Sequence, residues 1–292
     1  MTTTIWAQGA IRQRDEAVLT ALDHGVTVGD GVFETMSVHD GVAFALTRHL
    51  KRLGRSARGL GLTAPDPDVV REAIAETLAA AGPTVGRLRV TWTAGPGPLG
   101  SHRDSPAQAA AQGHVPTLVV VAGPATRTER VQLARVPWVR NERSPLVGLK
   151  TTSYAENVVA VAYAARRGAT EAIFGNTTGA LCEGASSNVF VERGEELLTP
   201  SLHTGCLGGI TRELLLEWGE AAGLPVRVAE PDELPITVLD DVLKGRGHVA
   251  VTSTIRNVAP ADLLDRTAIE PGPLSLRAQQ LFQERAGDDL DP

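Results

Sequence analysis

The stretch VGLKTTSYAENVVA, residues 147–160, contains one of only three lysines in a chain that has 25 arginines. A sequence that uses arginine almost everywhere for positive charge keeps an amine here, between an apolar step and a run of small hydroxyl residues. A guanidinium stays protonated and is a poor nucleophile, whereas a lysine amine can be deprotonated by burial and can condense with a carbonyl. Lys150 is therefore the first candidate for covalent chemistry.

Composition and charge limit the classes of partner. The 292 residues are 42% hydrophobic and 21% charged, with a net charge of −6 and no concentrated stripe of lysine and arginine. This pattern argues against a nucleic-acid or anionic-membrane partner. The sequence shows neither a signal-peptide pattern nor an apolar run of 18 residues, so we expect a cytoplasmic protein with no membrane partner.

Metal-ligand patterns are also missing from the sequence. Cys182 and Cys206 are too few and too isolated for a disulfide framework or a CxxC site. The seven histidines show no HExxH or comparable spacing. We therefore expect no metal site.

Strand-like and helix-like segments are mixed along the chain and predict an α/β (α+β) fold with two domains. The polar segment PATRTER (124–130) is the expected linker between a smaller N-terminal domain, 1–123, and a larger C-terminal domain, 131–292. The sequence also predicts an irregular loop over 95–116 and a frayed acidic tail over 284–292. The predicted strands are 5–13, 26–46 (with a hairpin turn at 39–41), 87–94, 117–123 and 131–139, and the main predicted helices are 47–62, 65–82, 152–168 and 209–224.

GPGPLG (95–100) matches the G-x-G-x-x-G pattern of dinucleotide-binding loops. That use of the pattern needs a helix opening on the third glycine and backbone N–H groups aimed at a pyrophosphate. Pro96 and Pro98 remove two of those donors, and SHRDSPAQ is a poor helix start. An ordinary loop is the favoured interpretation.

Three other stretches suit a reactive lysine. CEGASSNVF (182–190) places Glu183 between strands, where a carboxylate can face inward. GGITREL (208–214) puts two glycines and Thr211 at a helix N-terminus, which favours an anion such as phosphate. VTSTIRN (251–257) ends a strand in three hydroxyls. Each stretch also has an ordinary interpretation, as an edge charge, a turn or a cap. Together, however, an amine, an acid and a phosphate site are the groups that would bind pyridoxal 5'-phosphate (PLP).

Six ordered motifs also resemble one enzyme family. GDGVFET, TRHLKRL, LKTTSYAEN, EGASSNVF, GGITRELL and TSTIRNV follow the order and spacing of the class IV aminotransferases, which are PLP enzymes of fold type IV. That family includes branched-chain and D-amino-acid aminotransferases and aminodeoxychorismate lyase. The resemblance extends from about Ile5 to beyond Pro260. It implies two domains with PLP between them and a homodimer whose partner helps to close the site.

The resemblance also implies roles for individual residues. Lys150 matches the lysine that forms the Schiff base and moves the proton, and Glu183 matches the acid that pairs with the pyridine nitrogen. Tyr154 is similar to a tyrosine that bonds the cofactor's ring oxygen in some relatives, although a helix residue packing on the core is an equal alternative. The expected cofactor-binding set is Arg48, Lys150, Tyr154, Glu183, Ser187, Asn188, Gly209, Ile210, Thr211, Ser253 and Thr254, in which Arg48, Ile210, Thr211 and Thr254 match phosphate contacts.

The substrate pocket departs from the family pattern. Well-studied D-amino-acid aminotransferases carry a tyrosine where this chain has Phe33, and an arginine and a histidine where it has Ala94 and Pro96. A substrate carboxylate favours a bidentate arginine. The candidate substrate-binding residues are therefore Phe33 and four substitutes for the missing cations: His102, Arg103, Arg140 and Arg143. The alternative for each of these four is an ordinary solvated charge in a loop.

We expect an aminotransferase that moves the amino group of a D-amino acid, and of primary (R)-amines as further donors, to a 2-oxo acid such as 2-oxoglutarate or pyruvate. The second expectation is a 4-amino-4-deoxychorismate lyase giving 4-aminobenzoate and pyruvate, and the third is a branched-chain L-amino-acid aminotransferase. A PLP-binding protein with an inactive site is the non-enzymatic alternative. Nothing around Lys150 or Glu183 separates the enzymes, because the pocket wall selects the substrate.

Overall fold

The computed structural model describes residues 3–292, so Met1 and Thr2, the first residues of the predicted N-terminal domain, lie outside it. The chain divides into two compact units. Unit 1 contains the residues up to Thr126 together with Leu149–Tyr154 and Leu290–Pro292, and unit 2 contains Arg127–Gly148 and Ala155–Asp289. Lys150 therefore packs with unit 1, although it follows the 124–130 segment in the chain. Within residues 3–292, no helix is both long and apolar enough to cross a membrane.

Unit 1 is built on a six-stranded antiparallel sheet in the order β2-β1-β6-β5-β3-β4. The predicted hairpin turn at 39–41 is confirmed, since Asp40 and Gly41 both adopt the positive φ angles that a two-residue turn requires. The elements of unit 1 are β1 (Thr4–Ala7), β2 (Ala10–Arg12), α1 (His24–Thr27), β3 (Gly31–His39), β4 (Val42–Ala43), α2 (Leu46–Gly59), α3 (Pro67–Ala81), β5 (Arg87–Thr93), α4 (Pro106–Gln112) and β6 (Thr117–Gly123).

Strand β3 has one face in the hydrophobic core of unit 1 and an opposite face with other side chains, because side chains alternate between the two faces of a strand. Val32 and Met36 point into the hydrophobic core, where residues of α2 and α3 pack against them. Phe33 and Thr35 belong to the opposite face. In the pairing of β3 with β5, Phe33 lies opposite Thr91 and Thr35 lies opposite Arg89, so these four residues share that face.

Unit 2 is built on a mixed nine-stranded sheet in the order β12-β11-β10-β13-β14-β7-β8-β9, with β15 beside β14. Its apolar core lies between this sheet and helix α7. The elements of unit 2 are β7 (Val131–Arg140), α5 (Ala155–Ala165), β8 (Glu171–Asn176), β9 (Leu181–Gly184), β10 (Asn188–Arg193), β11 (Glu196–Thr199), a 3-10 turn (Leu202–Thr204), α6 (Ile210–Ala221), β12 (Val226–Val228), α7 (Val238–Leu243), β13 (His248–Ser253), β14 (Asn257–Leu264), β15 (Thr267–Ala268) and α8 (Pro273–Asp288).

The loop prediction for 95–116 is wrong over 106–112, which form α4. Ser105 and Gln108 make a reciprocal capping box, and Gly113 ends the helix in the left-handed conformation. These signals were present in SPAQ and G, but the many glycines and prolines around them obscured the short helix. GPGPLG itself forms no helix, so the prediction of a loop is confirmed there.

The prediction of a frayed tail is also wrong. Helix α8 continues to Asp288, and the last three residues are bonded to the start of α2 in unit 1. Ala45 precedes α2 in the left-handed conformation and offers no side-chain cap. The Asp291 carboxylate supplies one, because Oδ1 accepts from Thr47 N at 2.7 Å and Oδ2 accepts from Thr47 Oγ1 at 2.6 Å. Leu290 O accepts from Ala45 N at 2.7 Å.

Replacing Asp291 with alanine should therefore destabilise unit 1 by about 1 kcal/mol, the usual effect of losing a helix N-cap. The thermal midpoint of unfolding measures the change. Asp288→Ala is the matched control, because it removes the same charge from an exposed position at the end of α8. Equal midpoints for the two variants would show that Asp291 does not cap α2.

Candidate active site

The main chain of Lys150 is held on both sides within unit 1. Its carbonyl oxygen accepts from Phe33 N at 3.0 Å, and its N–H donates to Ser56 Oγ on α2 at 3.2 Å. Thr152 N donates to Gly31 O at 2.8 Å, so the lysine segment runs beside β3. A Cβ at Gly59 would lie 2.5 Å from Leu149 Cδ2, so a larger residue at this position would have to displace the Leu149 side chain.

The Lys150 amine lies among aromatic rings. Nζ is 4.3 Å from the ring centroid of Phe33 and 5.8 Å from that of Tyr154. The two rings meet edge to face, with centroids 5.3 Å apart. A lysine amine between ring walls, on a main chain fixed at both ends, is held in position for reaction with a carbonyl carbon. The structure thus places Lys150, Phe33 and Tyr154 together, and Tyr154 contacts this group instead of the core.

A buried ionic cluster lies on the α2 side of β3. His49, Arg52 and Ser56 share one helix face, since they are three and four residues apart. The Glu34 carboxylate accepts from Arg52 Nε at 2.8 Å and from Arg52 NH2 at 2.7 Å, and it contacts His49 Nδ1 at 2.7 Å. Burial opposes ionisation of Glu34, but the charge and hydrogen bonds of Arg52, assisted by His49, lower its pKa to about 2.

Burial lowers the pKa of His49, which favours the neutral ring. Since a carboxylate only accepts hydrogen bonds, Nδ1 carries the proton and donates to Glu34. Nε2 is then a buried acceptor, and it has no hydrogen-bond partner within residues 3–292. The positive charge of Lys150 also lowers the pKa of His49, which places the two groups within electrostatic reach.

Glu183 is fixed within unit 2. Strand β9 carries it opposite Phe174 of β8, and its Oε2 accepts from Leu207 N at 2.8 Å. Arg140 Nε lies 3.3 Å from Oε1 of Glu183, while its guanidinium carbon lies 4.1 Å from the ring centroid of Phe174. Arg140 was a candidate for a substrate carboxylate. The structure pairs it with Glu183, an acid of the protein itself.

Helix α6 opens with an anion-binding geometry. No side chain caps it at Gly209, so its first N–H groups have no local side-chain acceptor, and the helix dipole favours a negative charge there. Ile210 and Thr211 are buried in the first turn. A Cβ at Gly209 would lie 1.9 Å from Asn188 Oδ1, so the close approach of β10 to the helix requires glycine.

The other predicted groups in unit 2 have mixed surroundings. Asn188 Nδ2 donates to Leu207 O at 2.7 Å and so holds the loop that leads to α6. Ser187 Oγ is buried without a hydrogen-bond partner within residues 3–292. Ser253 Oγ accepts from Arg256 N at 3.4 Å, and Thr254 is half-buried beside it in the chain. Thr252 Oγ1, which was not predicted, is a second buried hydroxyl without a partner in the described chain.

The remaining predicted cations have other partners or are exposed. Arg48 Nε donates to the main-chain oxygen of Pro292 at 2.8 Å, at the opposite end of α2 from Ser56. Arg103 makes a bidentate pair with Asp30 at 2.6 Å for both contacts, so its charge is already neutralised. His102 and Arg143 are exposed. Within unit 1, the Arg103 charge is therefore engaged by Asp30.

Sequence reasoning missed four polar residues that the structure places around Lys150. Glu34, His49 and Arg52 lie within the quoted motifs GDGVFET and TRHLKRL, so their mutual spacing was available but their pairing was not. Arg89 had one signal, since RLRVTWT places a charged residue in an otherwise strand-like run. Among residues 3–292, no cluster of three or more metal-ligating side chains is present.

Comparisons show similarity to one family along most of the chain. The family model described as amino-transferase class IV matches residues 31–263. A bifunctional aminodeoxychorismate lyase / D-amino acid transaminase from Mycobacterium tuberculosis is 31% identical over 74% of this chain and 77% of that protein. The D-alanine aminotransferase of Bacillus licheniformis is 27% identical over 94% of each chain.

A solved structure, a hypothetical aminotransferase from Mycobacterium tuberculosis in its PLP-bound form, is 28% identical. It superposes with a TM-score of 0.82 over 99% of this chain and 100% of that one. The fold type IV architecture expected from the sequence is confirmed.

The Glu34 cluster should make unit 1 sensitive to acid. A carboxylate whose pKa is lowered from 4.5 to about 2 contributes stability that is fully present above pH 4.5 and is lost as the pH falls toward 2. Glu34→Gln leaves Arg52 without its buried counter-charge, so it should cost about 3–5 kcal/mol of unfolding free energy at neutral pH. Denaturant unfolding as a function of pH measures both effects.

Glu72→Gln is the control, because Glu72 is exposed on α3. It should retain the stability of the unmodified protein at neutral pH. A Glu34→Gln variant that matched this control would show that the buried pair contributes nothing.

Proposed function

We propose an activity from the premise that this chain belongs to the class IV aminotransferase family, whose model matches residues 31–263. The family is PLP-dependent and contains aminotransferases and lyases. The proposed activity is transfer of the amino group of a D-amino acid, with primary (R)-amines as further donors, to a 2-oxo acid such as 2-oxoglutarate or pyruvate. The observation that carries it is the Lys150 amine in an aromatic surrounding, on a main chain that is fixed by hydrogen bonds.

Taken separately, residues of each unit fit the chemical demands of PLP. When bound, PLP links covalently to a primary amine and withdraws electrons from the carbon that bears it. Unit 1 supplies the amine of Lys150. Unit 2 supplies the Glu183 carboxylate, the uncapped start of α6 and the unpartnered hydroxyls of Ser187 and Thr252.

Lys150 holds the cofactor and then moves a proton. Its Nζ would hold the cofactor through the cofactor aldehyde and, as a free amine, would take the proton from the substrate Cα. The hydrogen bonds at Lys150 N and O keep the main chain still while the side chain moves between these tasks. The rings of Phe33 and Tyr154 exclude water around Nζ.

Glu183 holds the proton of the pyridine nitrogen. Its carboxylate would favour the protonated form of that nitrogen. Leu207 N and Arg140 fix both oxygens of the acid and so aim it. This function of Arg140 replaces the carboxylate-binding one considered from the sequence.

The cofactor phosphate suits the start of α6, where Ile210 and Thr211 supply N–H groups and a hydroxyl. Gly209, Asn188, Ser187, Ser253 and Thr254 complete the proposed unit 2 set. In unit 1 we favour Arg52 over Arg48 as the phosphate cation. Arg52 shares the helix face of Ser56, whose hydroxyl bonds Lys150 N, whereas Arg48 bonds Pro292 O one turn earlier.

Names of similar proteins support the choice of donor and also the second candidate. The Bacillus licheniformis relative, which matches over nearly its whole length, is a D-alanine aminotransferase. The Mycobacterium tuberculosis relative combines D-amino acid transaminase and aminodeoxychorismate lyase activities, so the lyase remains the second proposal. A branched-chain L-amino-acid aminotransferase is third. The cytoplasmic location expected from the sequence stays a prediction.

A homodimer is proposed on the basis of an exposed apolar patch in unit 2. The patch consists of Trp138 and Val139 at the end of β7 and Val158, Val159 and Val161 on α5, of which Val158 is 65% exposed. Trp138 packs edge to face on Tyr163 of α5, which joins the strand and the helix into one surface. Large exposed apolar patches mark protein–protein interfaces.

The activity is tested by spectral conversion of the PLP-loaded enzyme with D-alanine, L-alanine, L-leucine and (R)-1-phenylethylamine, alongside pyruvate release from aminodeoxychorismate. D-alanine should convert the visible absorbance of the bound cofactor, and a 2-oxo acid should restore it. Lys150→Ala should lose this band and all turnover because the covalent link needs Nζ. Lys51→Ala is the control, since Lys51 is an exposed lysine on α2.

Rapid pyruvate release with inert amino acids would instead establish the lyase, and conversion by L-leucine alone would establish the branched-chain enzyme. A cofactor band that no amine alters would show an inactive binding protein.

The dimer is tested by light scattering on a sizing column. Val158→Asp should yield monomers, because a charge in a buried apolar interface loses its hydration. Val69→Asp is the matched control, since Val69 is 50% exposed on α3 in unit 1 and should leave the dimer intact. If the unmodified protein elutes as a monomer, the proposed homodimer is wrong.

A further inference from the structure

Arg89 is a half-buried cation on the face of unit 1 that carries Lys150. It lies on β5 opposite Thr35, and its guanidinium carbon is 3.8 Å from the ring centroid of Phe33. Its Nε donates to Thr91 Oγ1 at 3.2 Å. Stacking on the ring and the bond to Thr91 hold the guanidinium in one plane and one direction.

No carboxylate pairs with Arg89 among residues 3–292, in contrast to two other arginines of unit 1. Arg52 is paired with Glu34, and Arg103 is paired with Asp30. Since Thr91 engages Nε, both terminal nitrogens of Arg89 keep their hydrogen-bonding capacity. Burial lowers the pKa of Arg89, but a guanidinium stays charged in proteins. A partly buried charge without a partner is unfavourable, and such groups cluster at functional sites.

The distances relate Arg89 to the reactive amine. The guanidinium carbon and Lys150 Nζ lie 3.8 Å and 4.3 Å from the same Phe33 centroid, so they are at most about 8 Å apart. An amino acid carries its amine and its α-carboxylate on one carbon. A group that binds the carboxylate must therefore lie near the nitrogen that reacts, and the upper limit of about 8 Å for Arg89 is compatible with this requirement.

We propose that Arg89 binds the α-carboxylate of the amino donor and, in the second half of the reaction, that of the 2-oxo acid acceptor. The two terminal nitrogens form a bidentate pair with the carboxylate, and Phe33 forms the shelf beneath it. This inference rests on the proposed aminotransferase function. It supplies a cation for the substrate carboxylate, in place of the sequence candidates Arg103, Arg140 and Arg143.

The assignment separates two classes of donor. A D-amino acid uses Arg89, whereas a primary amine without a carboxylate does not. Removing the guanidinium should therefore change the preference between these donors as well as the overall rate, because only one of them loses a charge-assisted hydrogen-bonded pair.

The test compares Arg89→Met with Arg87→Met in the PLP-loaded enzyme. Arg87 lies two residues earlier on β5 and is exposed, so its replacement makes the same charge change away from Phe33. Arg89→Met should lower kcat/KM for D-alanine by about 10- to 100-fold, mainly through KM, since hydrogen bonds to charged groups have this magnitude. Turnover of (R)-1-phenylethylamine should change by less than about 3-fold, and Arg87→Met should change neither.

Two further measurements keep the result decisive. Arg89→Lys retains the charge but not the bidentate geometry, so it should fall between the native enzyme and Arg89→Met. Calorimetric titration with glutarate, a dicarboxylate that cannot react, should show binding to the native enzyme and to Arg87→Met, and at least 10-fold weaker binding to Arg89→Met.

Failure of the inference and failure of the proposed function give different results. If the native enzyme converts D-alanine and Arg89→Met loses activity equally with both donors, or binds glutarate as tightly as the native enzyme, Arg89 is a structural residue and the proposal is overturned. If the native enzyme converts no amino acid but releases pyruvate from aminodeoxychorismate, the proposed function fails, and glutarate binding alone decides for or against Arg89.

Discussion

The buried carboxylate of Glu34 is the constraint on which the lysine side of the site depends. It projects from β3 toward α2, where Arg52 and His49 neutralise and bond it. That cluster fixes the rotation of α2 against the sheet, because a buried carboxylate without these partners is costly. With the helix so fixed, Ser56 reaches Lys150 N, and the reactive amine is directed to the Phe33 face of the strand.

Strand alternation explains how one strand serves stability and chemistry together. Glu34 and its core neighbours Val32 and Met36 point to one face of β3, and Phe33 points to the other. Arg89 joins Phe33 because β3 and β5 pair in antiparallel register. In unit 2, one loop residue likewise makes two contacts. Leu207 N donates to Glu183, and Leu207 O accepts from Asn188, which holds the loop that leads to α6.

The fold was predictable from local signals, and the proposed cofactor-binding groups were chosen from the same signals. Residues 117–123 form a strand as predicted, and the glycines before α6 mark an uncapped helix start as expected. One miss had a local cause, since a capping box at Ser105 was hidden in a glycine-rich segment. The other was long-range, because no signal links Asp291 to Thr47, which lies 244 residues earlier. Such a cap exists only after the chain has folded.

The sequence by itself determined the candidate amine, the candidate acid and the order of motifs, because these depend on residue type and on short-range spacing. It could not decide which of 25 arginines keeps its charge available for a ligand. Arg103 is paired with Asp30, 73 positions away, and Arg140 is paired with Glu183, 43 positions away. Arg89 instead contacts the ring of Phe33 and the hydroxyl of Thr91. Charge pairing falls off over a few ångströms, so only the tertiary structure brings the partners together or leaves them apart.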